Sequence, residues 1–395
     1  MVEALLVVGL LVAVFVGFNI GGSSTGVSFG PAVGSGTLSK TTAAALMSAF
    51  ALAGGWTVGR NVIDTMGGDI VPASSFTLVA SVGVLFFVGL ALLVSNTFGV
   101  PASTSMTAVG AIAGLGAATG TLNADVMLRI VGWWLVAPVV AFWICAVIGR
   151  YLYPYLDAAF AIDRSAGGVV ALDGLRPRIA DDATTREIVG TVAVLVIACY
   201  MAFSAGASNA ANAVAPLVGS PEVNLSVDAG VLLAGAAISL GAFTIARRTL
   251  DTVGNDLTDL PLLAALIVET VSASLITFLS YIGIPASLAV SATMCIVGLG
   301  WGRATRTTTI GDAVGEAIGG DGHPDKRPEV SVNALAAERP SKDGGVPRMG
   351  EEQGDELLAE DLFDAGTTGR VVSFWIFTPT ISFVCSYALF AFVPL

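Results

Sequence analysis

Lysine and histidine are almost missing from this 395-residue chain, which has three lysines (Lys40, Lys326, Lys342) and one histidine, His323. Charged residues of all kinds make up 12%, about half the share a soluble domain carries. Each shortage excludes something. A soluble globular domain is excluded by the lack of charge. A histidine-based metal or nucleophile site is excluded because His323 stands alone in a loop. The net charge of -12 removes the electrostatic case for nucleic-acid binding. The four cysteines, Cys145, Cys199, Cys295 and Cys385, all fall in apolar stretches, so they imply packing and no disulfide framework. Basic residues are also missing at the start, where Glu3 is the only charge before Lys40. A first helix that is retained therefore fits better than a cleaved signal peptide.

What is present is apolar: 54% hydrophobic residues and a mean hydropathy of +0.82. Runs near the 17–25 residues that span a bilayer occur at about 2–18, 41–58, 76–98, 100–118, 127–149, 188–204, 228–246, 260–282, 285–301 and 371–394. The chain reads as an all-α polytopic membrane protein. Its acidity sits in loops: Asp321 to Asp364 holds twelve acidic residues against five basic ones. Such a segment lacks the apolar clustering needed for a core.

The chain also repeats itself. "SSTGVSFGPAVGS" (Ser23–Ser35) aligns with "SNAANAVAPLVGS" (Ser208–Ser220), and "VGRNVIDTMGGDI" (Val58–Ile70) with "IARRTLDTVGNDL" (Ile245–Leu257). "FGVPASTSMTAVGAIAG" (Phe98–Gly114) aligns with "IGIPASLAVSATMCIVG" (Ile282–Gly298), and "RIVGWWLVAP" (Arg129–Pro138) with "RVVSFWIFTP" (Arg370–Pro379). The offset rises from 184 to 241 between the last two blocks, so the second copy carries a 57-residue insertion, the acidic loop. The resulting plan is a first transmembrane repeat at 1–150, a cytoplasmic linker at 151–187, the first part of a second repeat at 188–302, an acidic insertion without a core at 303–369, and the last helix at 370–395. A surface insertion is the simplest reading of 303–369, and a separately folding regulatory domain is the alternative.

Five spans per repeat, an odd number, give the copies opposite orientations. Lys40, Arg150, Arg164, Arg176, Arg178, Arg186, Arg247, Arg248, Arg303 and Arg306 all fall in odd-numbered connections, against Arg60 and Arg129 in even ones. By the positive-inside rule the N-terminus is outside and the acidic insertion is cytoplasmic. Inverted repeats with interrupted helices are a transporter architecture, with substrate held near the midplane. The glycine- and hydroxyl-rich stretches Gly21–Gly36 and Gly206–Asn212 are expected to break their helices there, since irregular backbone is tolerated at membrane depth only where it is buried or lines a cavity.

Freed N–H groups at a helix start favour an anion. Ser23, Ser24, Thr25, Ser28, Ser208, Asn209 and Asn212 can donate to tetrahedral oxygens. "PASTS" supplies Ser103, Thr104 and Ser105 in the first turn of a helix, and the second copy supplies Ser287. The competing reading is that small residues simply let helices approach closely. No lysine or arginine lies in these motifs, so an anion would be held by neutral donors, with a co-transported Na+ or H+ as natural company. No resident cofactor or metal is expected. Glu269, in the middle of "LLAALIVETVSASLITFL", is costly in a membrane and is a candidate for coupling, as is Asn19. A protonated acid satisfied by a neighbouring helix is its alternative. "GSGTLSKT" (Gly34–Thr41) is not a phosphate loop, because Ser39 replaces the glycine before the lysine and no strand precedes it. Arg60/Asp64 and Arg247/Asp251 are expected to anchor helix ends, with gating the lesser alternative.

The two repeats resemble the inorganic phosphate transporter (PiT) family over essentially the whole membrane part. That family carries a "GANDVANA"-type motif in each half, here "GGSSTGVSFG" (Gly21–Gly30) and "GASNAANA" (Gly206–Ala213). Its "PVSTTH"-type motif is here "PASTSM" (Pro101–Met106) and "PASLAV" (Pro285–Val290). The resemblance implies cotransport of phosphate with Na+ or H+ by alternating access in the plasma membrane. It departs where the motif aspartates become Ser24 and Asn209, and where Leu288 and Ala289 replace hydroxyls. "NIGGSSTGVSFG", "GVPASTS" and "FSAGASNAANAVAPLVG" are more similar to the family's sulfate-permease branch, and a permanently unprotonated sulfate has no use for an aspartate acceptor. Glu269 points back towards phosphate. Phosphate, the family's commonest substrate, stands first and sulfate second. The partners implied are one of these anions, the lipid bilayer and, as an open option, a second copy in a homodimer. An intramembrane lipid-phosphate enzyme lacks its acid/base groups, and a passive channel would give flux that does not saturate.

Overall fold

A computed structural model describes residues 2–97, 103–160, 170–173, 176–179, 185–244, 261–305 and 365–392. The described chain is nearly all helical, with α1 (Val2–Gly34), α2 (Lys40–Thr57), α3 (Gly59–Asp64), α4 (Leu78–Thr97), α5 (Thr104–Thr119), α6 (Ala124–Val147), α7 (Tyr153–Phe160), α8 (Thr185–Val218), α9 (Val227–Thr244), α10 (Leu262–Tyr281), α11 (Leu288–Ala304) and α12 (Ala365–Phe392). The linker between the repeats holds α7 and a short antiparallel hairpin, Val170–Asp173 with Arg176–Ile179. The acidic stretch Asp321–Asp364 lies outside the described residues, as do Pro101, Arg247 and Asp251.

Seven of the described helices are long and apolar enough to cross a membrane, and the bent pair Lys40–Thr57 with Gly59–Asp69 is an eighth. Two shorter apolar helices, Thr104–Thr119 and Leu288–Ala304, complete the ten segments expected. Starts and stops follow local chemistry. Ser39, Ser103, Asn123 and Ser287 accept the backbone N–H three residues on, capping α2, α5, α6 and α11. Gly120, in the left-handed region at φ +70, closes α5. Large apolar side chains face outwards: Leu128 is 71% exposed, Leu135 69% and Phe392 86%. The interior is built largely of alanine, valine and glycine. The protein is multi-pass and membrane-embedded.

The structure differs from expectation at the glycine motifs. α1 runs unbroken through Gly21–Gly30 to Gly34, and α8 runs unbroken through Gly206–Ala213 to Val218. Two physical reasons are visible. The hydroxyls bond back onto their own helix, with Thr25 Oγ1 donating to Gly21 O (2.7 Å) and Ser23 Oγ to Asn19 O (3.2 Å), which keeps the turn satisfied. The glycines serve close packing, which is the alternative role of small residues. A Cβ on Gly21 would stand 1.9 Å from Ile238 O, and one on Gly206 2.0 Å from Ala51 O. The real interruption is one element later, at Val58, where α2 and the segment Gly59–Asp69 meet at 63° and Thr65–Asp69 forms a π-helical turn.

These close approaches obey the repeat. Gly21 against Ile238 corresponds to Gly206 against Ala51, and Gly241 against Phe18 O (2.1 Å) to Gly54 against Phe203 O (1.9 Å). Gly114 against Phe383 O (2.4 Å) likewise corresponds to Gly298 against Phe142 O (2.1 Å). Each contact joins one repeat to the other: α1 on α9, α8 on α2, α5 on α12 and α11 on α6. The last two pairs run parallel. Gly110 faces Pro379 and Gly114 faces Phe383, while Gly298 faces Phe142 and Gly302 faces Ala146. Ser382 and Ser386 stitch the α5–α12 seam by donating to Thr107 O (2.7 Å) and Ala111 O (2.6 Å).

Gly206→Ala is expected to lower thermal stability in detergent by the 1–3 kcal/mol typical of overpacking, because the atom it meets is backbone. Gly68→Ala, where a Cβ meets nothing within 4 Å, should leave the melting temperature within error of the parent. Equal melting temperatures for both variants would contradict the packing role.

Candidate functional site

The first turn of α5 meets the middle of α8, and most of the polar chemistry gathers there. Ser103 caps α5 through Met106 N (3.4 Å) and is buried. Capping leaves Thr104 and Ser105 projecting from a helix start. Thr104 Oγ1 donates to Asn209 Oδ1 (2.5 Å), and Ser105 Oγ lies 3.3 Å from Ser208 Oγ. Asn212, one turn along α8 from Ser208, ties the group together. Its Nδ2 donates to Asn209 Oδ1 (3.0 Å), Ser105 Oγ (3.2 Å) and Thr104 Oγ1 (3.3 Å). Ser208 Oγ in turn donates to Ala286 O (2.7 Å), in the turn before α11. Ser208, Asn209 and Asn212 are all buried, and Asn212 Oδ1 has no hydrogen-bond partner among the described residues.

Five of the residues singled out from sequence (Thr104, Ser105, Ser208, Asn209 and Asn212) thus form one network, with Ser103 behind it. The α1 residues do not join it. Thr25 is buried and Ser23 half-buried, each hydroxyl bonded to its own helix, and Ser24 is half-buried with no side-chain hydrogen bond among the described residues. Ser28 is buried with its hydroxyl unpartnered among the described residues. Asn19 Nδ2 donates to Phe15 O (2.8 Å) on its own helix. Because both glycine motifs are continuous helix, their backbone N–H groups are used internally. The expected exposed amides are therefore absent there, and among the described residues helix-start amides are offered at α5 and α11.

Ser287 caps α11 (3.3 Å to Val290 N). It lines a shallow, open dent with Met106, Trp133, Trp134, Ala286 and Ser291. The start of α11 is the repeat counterpart of the start of α5, and there Leu288 and Ala289 stand in place of the hydroxyls of Thr104 and Ser105. Glu269 is buried in α10. Ser204 Oγ donates to Ala273 O (3.0 Å), one turn from Glu269 and one turn from Ser208. That places Glu269 roughly two helical turns, about 11 Å along the axis, from the cluster. Arg60 does not pair with Asp64. Its guanidinium meets Asp228 at the start of α9 (2.6 Å), stacks over Trp56 and donates Nε to Trp56 O (2.6 Å), so it anchors one repeat to the other at a partly exposed end. Sequence reading missed the Ala286 carbonyl and the Trp134 indole, which donates to Pro285 O (2.8 Å). The signal for Trp134 was in the repeat alignment, where tryptophan recurs at Trp375.

The donors of the network are neutral hydroxyls and amides at a helix start, a set that suits a tetrahedral anion. Residues 20–386 match the profile described as the phosphate transporter family. The chain belongs to that family. It is 31% identical over 295 residues to the sulfate permease CysP of Bacillus subtilis, covering 74% of this chain and 77% of that protein. In three dimensions it is similar to the solved structure of a sodium-dependent phosphate transporter, with a TM-score of 0.66, 19% identity and 98% of both chains covered. At that identity the likeness establishes the fold. Membership of a transport family sets aside the lipid-phosphate enzyme, and an inorganic anion is the substrate class.

Asn212→Leu keeps the branched outline of the side chain and removes the amide N–H groups that reach Thr104, Ser105 and Asn209. Stranding several buried polar groups costs about 1–3 kcal/mol each. The half-saturation concentration for anion uptake should therefore rise about tenfold or more, while detergent-solubilised protein remains monodisperse. Uptake indistinguishable from the parent would remove the cluster from the transport path.

Proposed function

We propose that this transporter is a secondary permease that moves a divalent tetrahedral oxyanion by alternating access, and that sulfate is favoured over phosphate. The observation that carries the preference is Asn209. It sits at the centre of the α5–α8 network, accepting from Thr104 and Asn212, and no carboxylate among the described residues takes part. A phosphate brings a proton that an acid can accept, whereas sulfate at neutral pH brings none and would be repelled by one. The likeness to a sulfate permease supports the same reading. Phosphate is the second reading, supported by the family description, by the phosphate transporter that shares the fold and by Glu269, the one acid among the buried described residues.

The parallel seams support an inverted repeat. Consecutive helices joined by short turns run antiparallel, yet α5, fourth in its repeat, runs parallel to α12, fifth in the other, and α11 and α6 do the same. Repeats of opposite orientation satisfy both conditions. With the positive-inside rule, the N-terminus is outside and the cytoplasmic face carries the acidic insertion. Glu269 is assigned to coupling, through H+ or Na+, because an isolated buried acid in a span is expensive to keep without use.

Uptake of labelled sulfate and phosphate into proteoliposomes, with Na+ and H+ gradients imposed separately, tests the reading. Saturable sulfate uptake that excess phosphate fails to compete is expected, and transport of neither anion would overturn it. Asn209→Asp should reduce sulfate uptake at least tenfold and shift selectivity towards phosphate. Glu269→Gln should leave anion exchange intact and abolish the response to the driving gradient; an unaltered gradient response would release Glu269 from coupling.

A further inference from the structure

The turn Ile282–Ser287, which joins α10 to α11, is fixed at both ends. On the α10 side, Gly283 sits at φ +73, Gly283 N donates to Ser280 O (3.0 Å) and Ile284 N to Leu279 O (2.8 Å), the bonds that close a helix through a left-handed residue. On the α11 side, Ser287 supplies the cap. Between these ends lie Pro285 and Ala286, both buried. Their carbonyls are taken by side chains from other helices: Trp134 Nε1 on Pro285 O (2.8 Å) and Ser208 Oγ on Ala286 O (2.7 Å). The two acceptors are consecutive, so the indole and the serine hydroxyl hold two adjacent peptide units that share the Ala286 Cα.

We propose that Trp134 is a positioning residue of the anion site. Its indole N–H sets the placement of the Pro285–Ala286 peptide, and through Ala286 O it orients Ser208, which faces Ser105. The consequence for transport rests on the function proposed above. The placement of the turn does not. The repeat separates this role from simple bulk. Trp133, next door, packs edge-on against Phe278 (ring centroids 6.2 Å apart) and is matched in the second repeat by Phe374, which keeps a ring and drops the N–H. Trp134 is matched by Trp375, which keeps the donor. The donor is retained at the position that, in the first repeat, serves the Pro285 carbonyl. Over the same alignment the neighbouring hydroxyl pair Thr104 and Ser105 has become Leu288 and Ala289.

The test is Trp134→Phe, with Trp133→Phe as the matched control. Hydrogen exchange read by mass spectrometry on the full-length protein should quicken roughly fivefold or more in 282–287 for Trp134→Phe, as expected when one hydrogen bond of ordinary net strength is lost, and remain unchanged for the control. In uptake, Trp134→Phe should raise the half-saturation concentration by about five- to tenfold with a smaller change in maximal rate. Its effect combined with Ser208→Ala should fall well short of the product of the two single effects. Unchanged exchange in the turn, or effects that multiply independently, would overturn the proposal. Should the parent protein take up neither anion, the transport reading fails, and the exchange measurement alone decides the role of Trp134. If Trp134→Phe does not fold, benzothienylalanine at position 134, which replaces the N–H with sulfur in nearly the same shape, carries the same comparison.

Discussion

The close approach of main chain to main chain across the two repeats is the constraint on which everything else depends. At Gly21, Gly54, Gly206, Gly241, Gly114 and Gly298 the opposing group is a carbonyl so near that even a methyl has no room. In a bilayer the lipid tails are as apolar as leucine, and helices associate through such packing and through hydrogen bonds rather than by escaping water. The choice of residues follows. Bulk is placed outside, in Leu128, Leu135 and Phe392, and the interior is filled with alanine, glycine and short hydroxyls. Those hydroxyls then act as cross-links, as Ser382 and Ser386 do on α5.

Tight seams also explain where the polar cluster sits. α5 is short, beginning at Thr104, so its start is brought to the middle of a long helix, α8, instead of to the membrane surface. A helix start carries unpaired amides, and α8 contributes amide and hydroxyl side chains at positions 208, 209 and 212, which share one face by their spacing. The second copy keeps the scaffold at α11 but exchanges hydroxyls for Leu288 and Ala289. Duplication thus supplied two frames, and the polar chemistry persists in one of them.

Much of this was legible in the chain. The ten apolar segments, the duplication and the polar residues Thr104, Ser105, Ser208, Asn209 and Asn212 could be read from spacing and composition, whereas their meeting at the α5–α8 contact could not. The helix breaks could not. Glycine and serine in a membrane segment signal either an interruption or a close contact, and only the facing backbone decides between them. Ile238 O opposite Gly21 and Ala51 O opposite Gly206 decided for contact. The partner of Arg60 was hidden for a related reason. Asp64 is one turn away in sequence, but the bend at Val58 turns the arginine towards Asp228 on another helix. Backbone acceptors such as Ala286 O carry no signature in a sequence at all.

The network around Asn209 is already hydrogen-bonded within itself: Thr104 is spent on Asn209, Asn212 on three neighbours and Ser208 on Ala286. On the function proposed above, an arriving anion trades side-chain bonds one for another, and only the first-turn amides of α5 are left waiting. Such an exchange makes the bound state only slightly deeper than the empty one. For the alternating-access permease proposed above this is useful, since cargo held in a shallow well departs quickly on the far side, and throughput is then governed by the swing of the helices instead of by slow release.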